Sequence, residues 1–143
     1  RKKLLKVADE LDVGESIFIK SAMSFEDLAQ HYRSAELVVF PSYYEGQGLI
    51  PLEALASGTP VVTVNQEPLT EMIDDTVGGL FERGDYVGLA TAVCDEFNGH
   101  VQRLKKAKAG RKRVLEDFTL EGQAESYDDV FLRSVQKRRW RDS

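Results

Sequence analysis

Leu37-Val38-Val39-Phe40-Pro41-Ser42-Tyr43-Tyr44-Glu45-Gly46-Gln47-Gly48-Leu49-Ile50-Pro51-Leu52-Glu53-Ala54 passes from an apolar tetrapeptide, through a polar loop, into a second apolar stretch. The tetrapeptide shows no polar alternation, as a strand covered on both faces of a parallel sheet requires. Pro41 ends it, since proline cannot donate to a ladder. The spacing predicts a loop over residues 42–48 and a helix over 49–56, stopped by Gly58. Pro51 falls in the first turn of that helix, where a missing N–H costs little.

The same alternation continues on both sides. Residues 1–13 carry Leu4, Leu5, Ala8 and Leu11 at helical spacing, and Gly14 follows as a stop. Ile17-Phe18-Ile19 reads as a short strand. Ser24 reads as an N-cap, with Asp27 at the capping-box position, for a helix bearing Leu28, Ala29, Tyr32 and Ala35. Residues 60–64 and 77–81 read as strands, the second with Gly78 and Gly79 inside it. Residues 67–73, 85–97, 101–116 and 120–140 read as helices. Strands alternating with helices describe an α/β domain, a Rossmann-like parallel sheet with flanking helices. In such sheets ligands bind beyond the carboxyl ends of the strands, which singles out the loops after Ile19, Phe40, Val64 and Phe81.

The chain has 143 residues, 42% hydrophobic and 30% charged, the mix of one folded domain. No apolar run approaches the roughly 20 residues of a membrane-spanning helix. One cysteine, Cys94, excludes an internal disulfide, and two histidines, His31 and His100, leave little for a metal site. No signal-peptide pattern opens the sequence, so a cytoplasmic setting is expected. Net charge is −5, unevenly spread: residues 1–100 hold 7 Lys/Arg against 17 Asp/Glu, and residues 101–143 hold 12 against 7. An acidic body argues against a nucleic-acid partner. The basic stretches 105–113 and 137–141 suit either an anionic surface, including peripheral contact with a membrane, or plain solvated helix faces. Cys94, beside Val93 on an apolar helix side, reads as core.

The loop after Phe40 carries the chemistry. Glycines there let a backbone approach a ligand, and the first-turn N–H groups of the following helix favour an anion such as phosphate. Glu45 and Glu53 flank that helix start. An ionised carboxylate is acceptor-only and suits ligands rich in hydroxyl groups, such as sugars and ribose. A nucleotide-sugar site fits this arrangement, although glycine-x-glycine and two glutamates eight apart are each weak signals alone.

Phe40-Pro41-Ser42, Glu45-Gly46-x-Gly48-Leu49, Leu52-Glu53-Ala54 and Gly58-x-Pro60-Val61-Val62, with the Glu45-x7-Glu53 spacing, resemble the signature of the group 1 (family 4) glycosyltransferases. Residues 24–32, 75–84, 85–97 and 111–118 resemble further segments of that family, so the likeness covers roughly residues 5–130. It implies a retaining enzyme of the GT-B architecture, with two Rossmann-like domains. Glu45 would face the donor sugar as the catalytic carboxylate. Gly46, Gln47, Gly48 and Leu49 would meet the sugar and diphosphate through backbone N–H groups, and Glu53 would bind the ribose hydroxyls. The donor would be a nucleotide-diphosphate sugar and the acceptor is open. Neither a cofactor nor a divalent metal is implied.

Gln47 stands where the family usually has an aromatic residue. Lys20-Ser21 and Asn65-Gln66-Glu67-Pro68 stand where it has glycine-bearing loops. Tyr44, Lys20 and Gln66 are therefore further candidates for the pocket, with loop packing or solvation as the alternative. In the family's strand order, 3-2-1-4-5-6, residues 1–143 would supply strands 3 to 6 only. The resemblance therefore implies a partial C-terminal nucleotide-sugar-binding domain, with the first strands, the N-terminal domain and the donor-phosphate Arg and Lys lying elsewhere. Ile17-Phe18-Ile19 would then not pair with residues 37–40. Trp140 among arginines would dock the last helix on another domain, and a second copy is a further candidate partner. The alternative is a non-catalytic nucleotide-sugar-binding or scaffolding subunit that completes a partner chain. A Rossmann-like dehydrogenase fits poorly, because Gly46-x-Gly48 lacks a third glycine.

Overall fold

The computed structural model describes residues 1–139, with side chains to residue 135. Trp140 and the end of the basic stretch 137–141 lie outside the described residues. In chain order the elements are helices α1 (Lys2–Glu10) and α2 (Phe25–Ser34), strand β1 (Val38–Phe40), helix α3 (Leu49–Ala56), strand β2 (Val61–Val64), the short helix α4 (Leu69–Met72), strand β3 (Gly78–Phe81), and helices α5 (Tyr86–Asn98), α6 (His100–Asp117) and α7 (Leu120–Arg139). A 3-10 turn, Gly14–Ser16, follows α1. The three strands form one parallel sheet in the order β1-β2-β3. Val39 pairs with Val62, and Val62 with Gly79.

β2 is the centre of the core. Val61, Val62, Thr63 and Val64 are all fully buried, as the unbroken β-branched run predicts for a strand covered on both faces. Leu55 from α3, Leu69 and Met72 from α4, and Ile73, Val77 and Phe81 pack around it. Gly78 opens β3 so close to its neighbour that a Cβ there would lie 2.1 Å from the Val61 carbonyl oxygen, which explains a glycine at the start of a strand. Thr63, the buried polar residue of β2, donates its hydroxyl to the Phe40 carbonyl at 2.8 Å.

The helix signals hold locally. Ser24 caps α2, its Oγ accepting the Asp27 N–H at 3.1 Å and donating to Asp27 Oδ2 at 2.7 Å. Asp85 caps α5 by accepting the Gly88 N–H at 2.8 Å.

Two expectations are corrected, and a third in part. Ile17-Phe18-Ile19 is not a strand: no strand lies beside it among the described residues, and Phe18 is 80% exposed. It does not pair with β1, whose one neighbour is β2. Cys94 is exposed rather than core. The basic stretch 105–113 is a free face only in part: Lys105, Lys108 and Lys112 are exposed, while the other three cations reach the body. Lys106 donates to the Gly78 carbonyl at 2.8 Å and pairs with the buried Glu96. Arg111 donates to the Ala56 carbonyl. Arg113 donates to the Met72 carbonyl at 3.0 Å and to Asp74 at 2.9 Å. The histidines also have partners: His31 lies 2.8 Å from the Asp27 carbonyl, and His100 lies 3.3 Å from Arg103.

Asp74 ties α6 to the turn before β3. Burial would raise its carboxyl, but hydrogen bonds from Thr76 and Arg113 outweigh it and hold the group down at about 2. A depressed folded-state value stabilises the fold above the ordinary pKa of 3.8, and that contribution is lost as pH falls through about 2. Asp74→Asn is therefore expected to lower the melting temperature at pH 7. The gap to the parent chain should narrow as pH falls below about 4, as read by scanning calorimetry across that range.

Candidate functional site

The parallel sheet sends the chain out of β1, β2 and β3 at the same edge, and the three following loops meet there. Residues 41–48 leave β1 and enter α3. Gly48 is the N-cap of α3, at φ 76°, in the left-handed region that favours glycine. It is also buried: a Cβ there would lie 2.8 Å from Met72 Cε and 2.9 Å from Leu69 Cδ2. No side chain caps α3. The Leu49 and Ile50 N–H groups at its start are thus unmatched by a capping side chain, and Pro51 has none to offer. The helix dipole adds partial positive charge at the same point. Gly46 has neither constraint: its φ is not in the left-handed region, and open space surrounds its Cβ position.

Glu45 is half-buried, while Gly46 and Gln47 are exposed. Gln47 and Leu49 line one wall of a cleft of about 450 Å³, whose other wall is the α6–α7 elbow with Phe118, Leu120 and Tyr127. Tyr44 stands 82% exposed beside Glu45.

Glu53 lies one turn into α3, exposed, and accepts a hydrogen bond from the Tyr32 hydroxyl of α2 at 3.1 Å. Burial, the hydrogen bond to Glu53 and the negative charge of that carboxylate push the Tyr32 phenol up to about 12. Tyr32 therefore stays a donor, and one carboxylate oxygen of Glu53 is held while lone pairs remain for a ligand. Beside it is a cleft of about 260 Å³ between α2 and α3, lined by Phe25, Leu28, Ala29 and Tyr32. The Tyr32 backbone is fixed as well, its carbonyl accepting the buried Thr59 hydroxyl at 2.6 Å.

Gln66 bridges two of the loops. Half-buried, it donates from Nε2 to the Tyr43 carbonyl at 2.7 Å and so joins the loop after β2 to the loop after β1. Lys20 is exposed on the irregular stretch after Ile19 and joins none of these contacts.

The sequence pattern does not single out two side chains of the site in these roles. Arg83, in the loop after β3, lies over the Tyr43 ring at 5.0 Å and the Tyr44 ring at 5.2 Å. By sequence pattern, Tyr32 belongs to an apolar helix face. The sheet order supplies the missing signal for Arg83, because loops that follow strands of one parallel sheet converge at one edge. Among the described residues, no group of three His, Cys, Asp or Glu side chains is placed to hold a metal ion.

Residues 1–113 match the family model described as "Glycosyl transferases group 1". A D-inositol 3-phosphate glycosyltransferase of Corynebacterium kroppenstedtii is 33% identical over 116 residues, 78% of this chain and 25% of that protein. The sucrose-phosphate synthase of Thermosynechococcus elongatus superposes with a TM-score of 0.83 at 28% identity, covering 95% of this chain and 34% of the synthase. S. aureus TarM, in a crystal structure with UDP, superposes with a TM-score of 0.79 at 25% identity, covering 92% of this chain and 27% of TarM. The chain thus spans about a quarter to a third of the length of these relatives.

Gly48→Ala is expected to cost about 2 kcal/mol or more, combining left-handed strain with overpacking against Met72 and Leu69. Gly46→Ala should stay within about 0.5 kcal/mol of the parent. Urea denaturation of the two variants reads the difference.

Proposed function

The chain belongs to the group 1 glycosyltransferases, and from that footing we propose that it is the donor-binding part of a retaining enzyme that transfers sugar from a nucleotide diphosphate. The observation that carries the reading is the uncapped start of α3, set between Glu45 on the loop and Glu53 one turn on. Two N–H groups and a helix dipole at that start suit a diphosphate. Glu53, with one oxygen held by Tyr32, presents its remaining lone pairs to the ribose hydroxyls. The apolar cleft beside it, flanked by Phe25, offers a surface to the nucleoside.

In transfer, the bond from the anomeric carbon to the diphosphate oxygen breaks. A new bond forms from that carbon to an acceptor hydroxyl oxygen on the same face, and the hydroxyl proton passes to the departing diphosphate oxygen. Positive charge develops on the sugar ring as the leaving group departs, and in this reading the Glu45 carboxylate stabilises it. The diphosphate gains negative charge at the same moment, and the start of α3 stabilises that charge without a metal ion. The acceptor is met by parts of the larger catalyst outside these residues. The UDP in the TarM structure, a protein of the same fold, supports a nucleotide donor.

Titration calorimetry with UDP, GDP and ADP and their sugar conjugates tests the reading. Glu53→Ala should weaken both the free nucleotides and the conjugates by about 10- to 100-fold, the loss of a charge-assisted hydrogen bond worth roughly 1.5–3 kcal/mol. Glu45→Ala should weaken the sugar conjugates and leave the free nucleotides nearly unchanged. Equal binding by parent and both variants would remove the basis for the assignment.

A further inference from the structure

We propose that Arg83 is a positioning residue for Glu45, acting as a clamp that fixes residues 43 and 44 of the loop. This rests on the donor-site reading above.

Glu45 is not itself tied down by any side-chain hydrogen bond among the described residues. Its place is set by the backbone on either side. Downstream, Gly48 is locked against Leu69 and Met72. Upstream, the anchor is Tyr43-Tyr44, and the loop after β3 holds it. The Tyr43 hydroxyl accepts the Gly84 N–H at 3.1 Å. Arg83 lies over both tyrosine rings and donates from Nη2 to the Tyr44 hydroxyl at 3.1 Å.

Tyr43 has other support, because Gln66 bonds its carbonyl and its ring packs at the edge of the core. Tyr44 is 82% exposed and directly precedes Glu45. The ring of Tyr44 is held by Arg83. A planar guanidinium suits this place because it stacks on aromatic faces while donating at its rim; a compact ammonium cannot do both. The Arg83 segment is anchored in turn, as Asn65 donates to Glu82 at 2.7 Å and its N–H meets the Phe81 carbonyl at 2.7 Å.

The clamp therefore serves the sugar end of the site. The start of α3 and Glu53 do not depend on it, since Gly48 and Tyr32 hold them. Arg83→Ala should accordingly weaken sugar conjugates about tenfold and free nucleotides far less, consistent with the loss of exposed cation–π contacts and one hydrogen bond. Arg83→Lys should recover only part of that affinity.

The test combines two measurements on the parent chain, Arg83→Ala and Arg83→Lys. Hydrogen exchange of residues 42–48 reads the clamp without any ligand. Calorimetry with UDP-glucose, UDP-N-acetylglucosamine, GDP-mannose and ADP-glucose, each beside its free nucleoside diphosphate, reads its consequence. Faster exchange confined to the loop, with selective loss of sugar-conjugate affinity, is the expected result. Unchanged exchange, a general loss of protection across the sheet, or full recovery with lysine would each overturn the clamp. If the parent binds none of the probes while the loop still loosens in Arg83→Ala, the donor-site reading falls. Arg83's positioning role falls with it, and the contact is then structural only.

Discussion

Val61–Val64 pairs in parallel on both sides and buries all four of its side chains, so every other element must cover it or extend it. Both edges of its ladder are taken by β1 and β3, and both faces by helices and their connections. A central strand of this kind forces the chain to return to the same end each time before adding the next strand, because parallel neighbours need a crossover. The helices α3 and α4 lie in those crossings, and α5 follows β3. The loops after β1, β2 and β3 are therefore gathered at one edge by the topology itself.

At that edge the loops are cross-linked rather than merely adjacent. Gln66 from the second reaches the Tyr43 carbonyl of the first, and Asn65 reaches Glu82 of the third. Gly84 and Arg83 of the third return to Tyr43 and Tyr44. A loop whose neighbours hold its backbone can keep a half-buried side chain in place without a hydrogen bond of its own. Glu45 benefits from that arrangement, while Glu53 gains the same result from a helix and a tyrosine hydroxyl. The two carboxylates are thus supported by independent parts of the fold.

The alternation of strands and helices was legible because it rests on unbroken apolar runs and on stops such as Pro41 and Gly58, which act locally. The start of α3 was legible for the same reason. Ile17-Phe18-Ile19 looked like a strand by composition, but a strand needs a neighbour for its backbone groups, and pairing is not encoded in three apolar residues. Cys94 failed similarly: a helix side beside Val93 is buried only if another element reaches it. The bond from Gln66 to the Tyr43 carbonyl spans 23 positions and is likewise set by the fold. Arg83 and the Tyr32–Glu53 pair join residues 39 or more and 21 positions apart, a relation no local pattern expresses. The glycines flanking Gln47 looked equivalent in sequence, yet only Gly48 sits where packing and backbone sign both require glycine.

The basic residues of α6 show why a charge run is a poor guide to a binding surface. Arg103, Lys106, Gly110, Arg113 and Val114 fall within an arc of about 100° at 3.6 residues per turn. That arc faces the body of the protein. Arg103 bonds the Glu96 and Phe97 carbonyls near the end of α5 and Glu36 before β1. Lys106 reaches Glu96 and the start of β3, and Arg113 the turn before β3. Between them, the missing side chain of Gly110 admits Leu55, whose Cδ2 would lie 2.6 Å from a Cβ there. Rotating α6 by one residue would turn these anchors about 100° away from their carbonyls and carboxylates. It would also leave Glu96 a buried carboxylate without its cation, a strongly unfavourable state. The charges thus select one register for α6. They do so because each meets a partner fixed by the sheet, so that much of what looks like a cationic face in the sequence is the inner side of the helix.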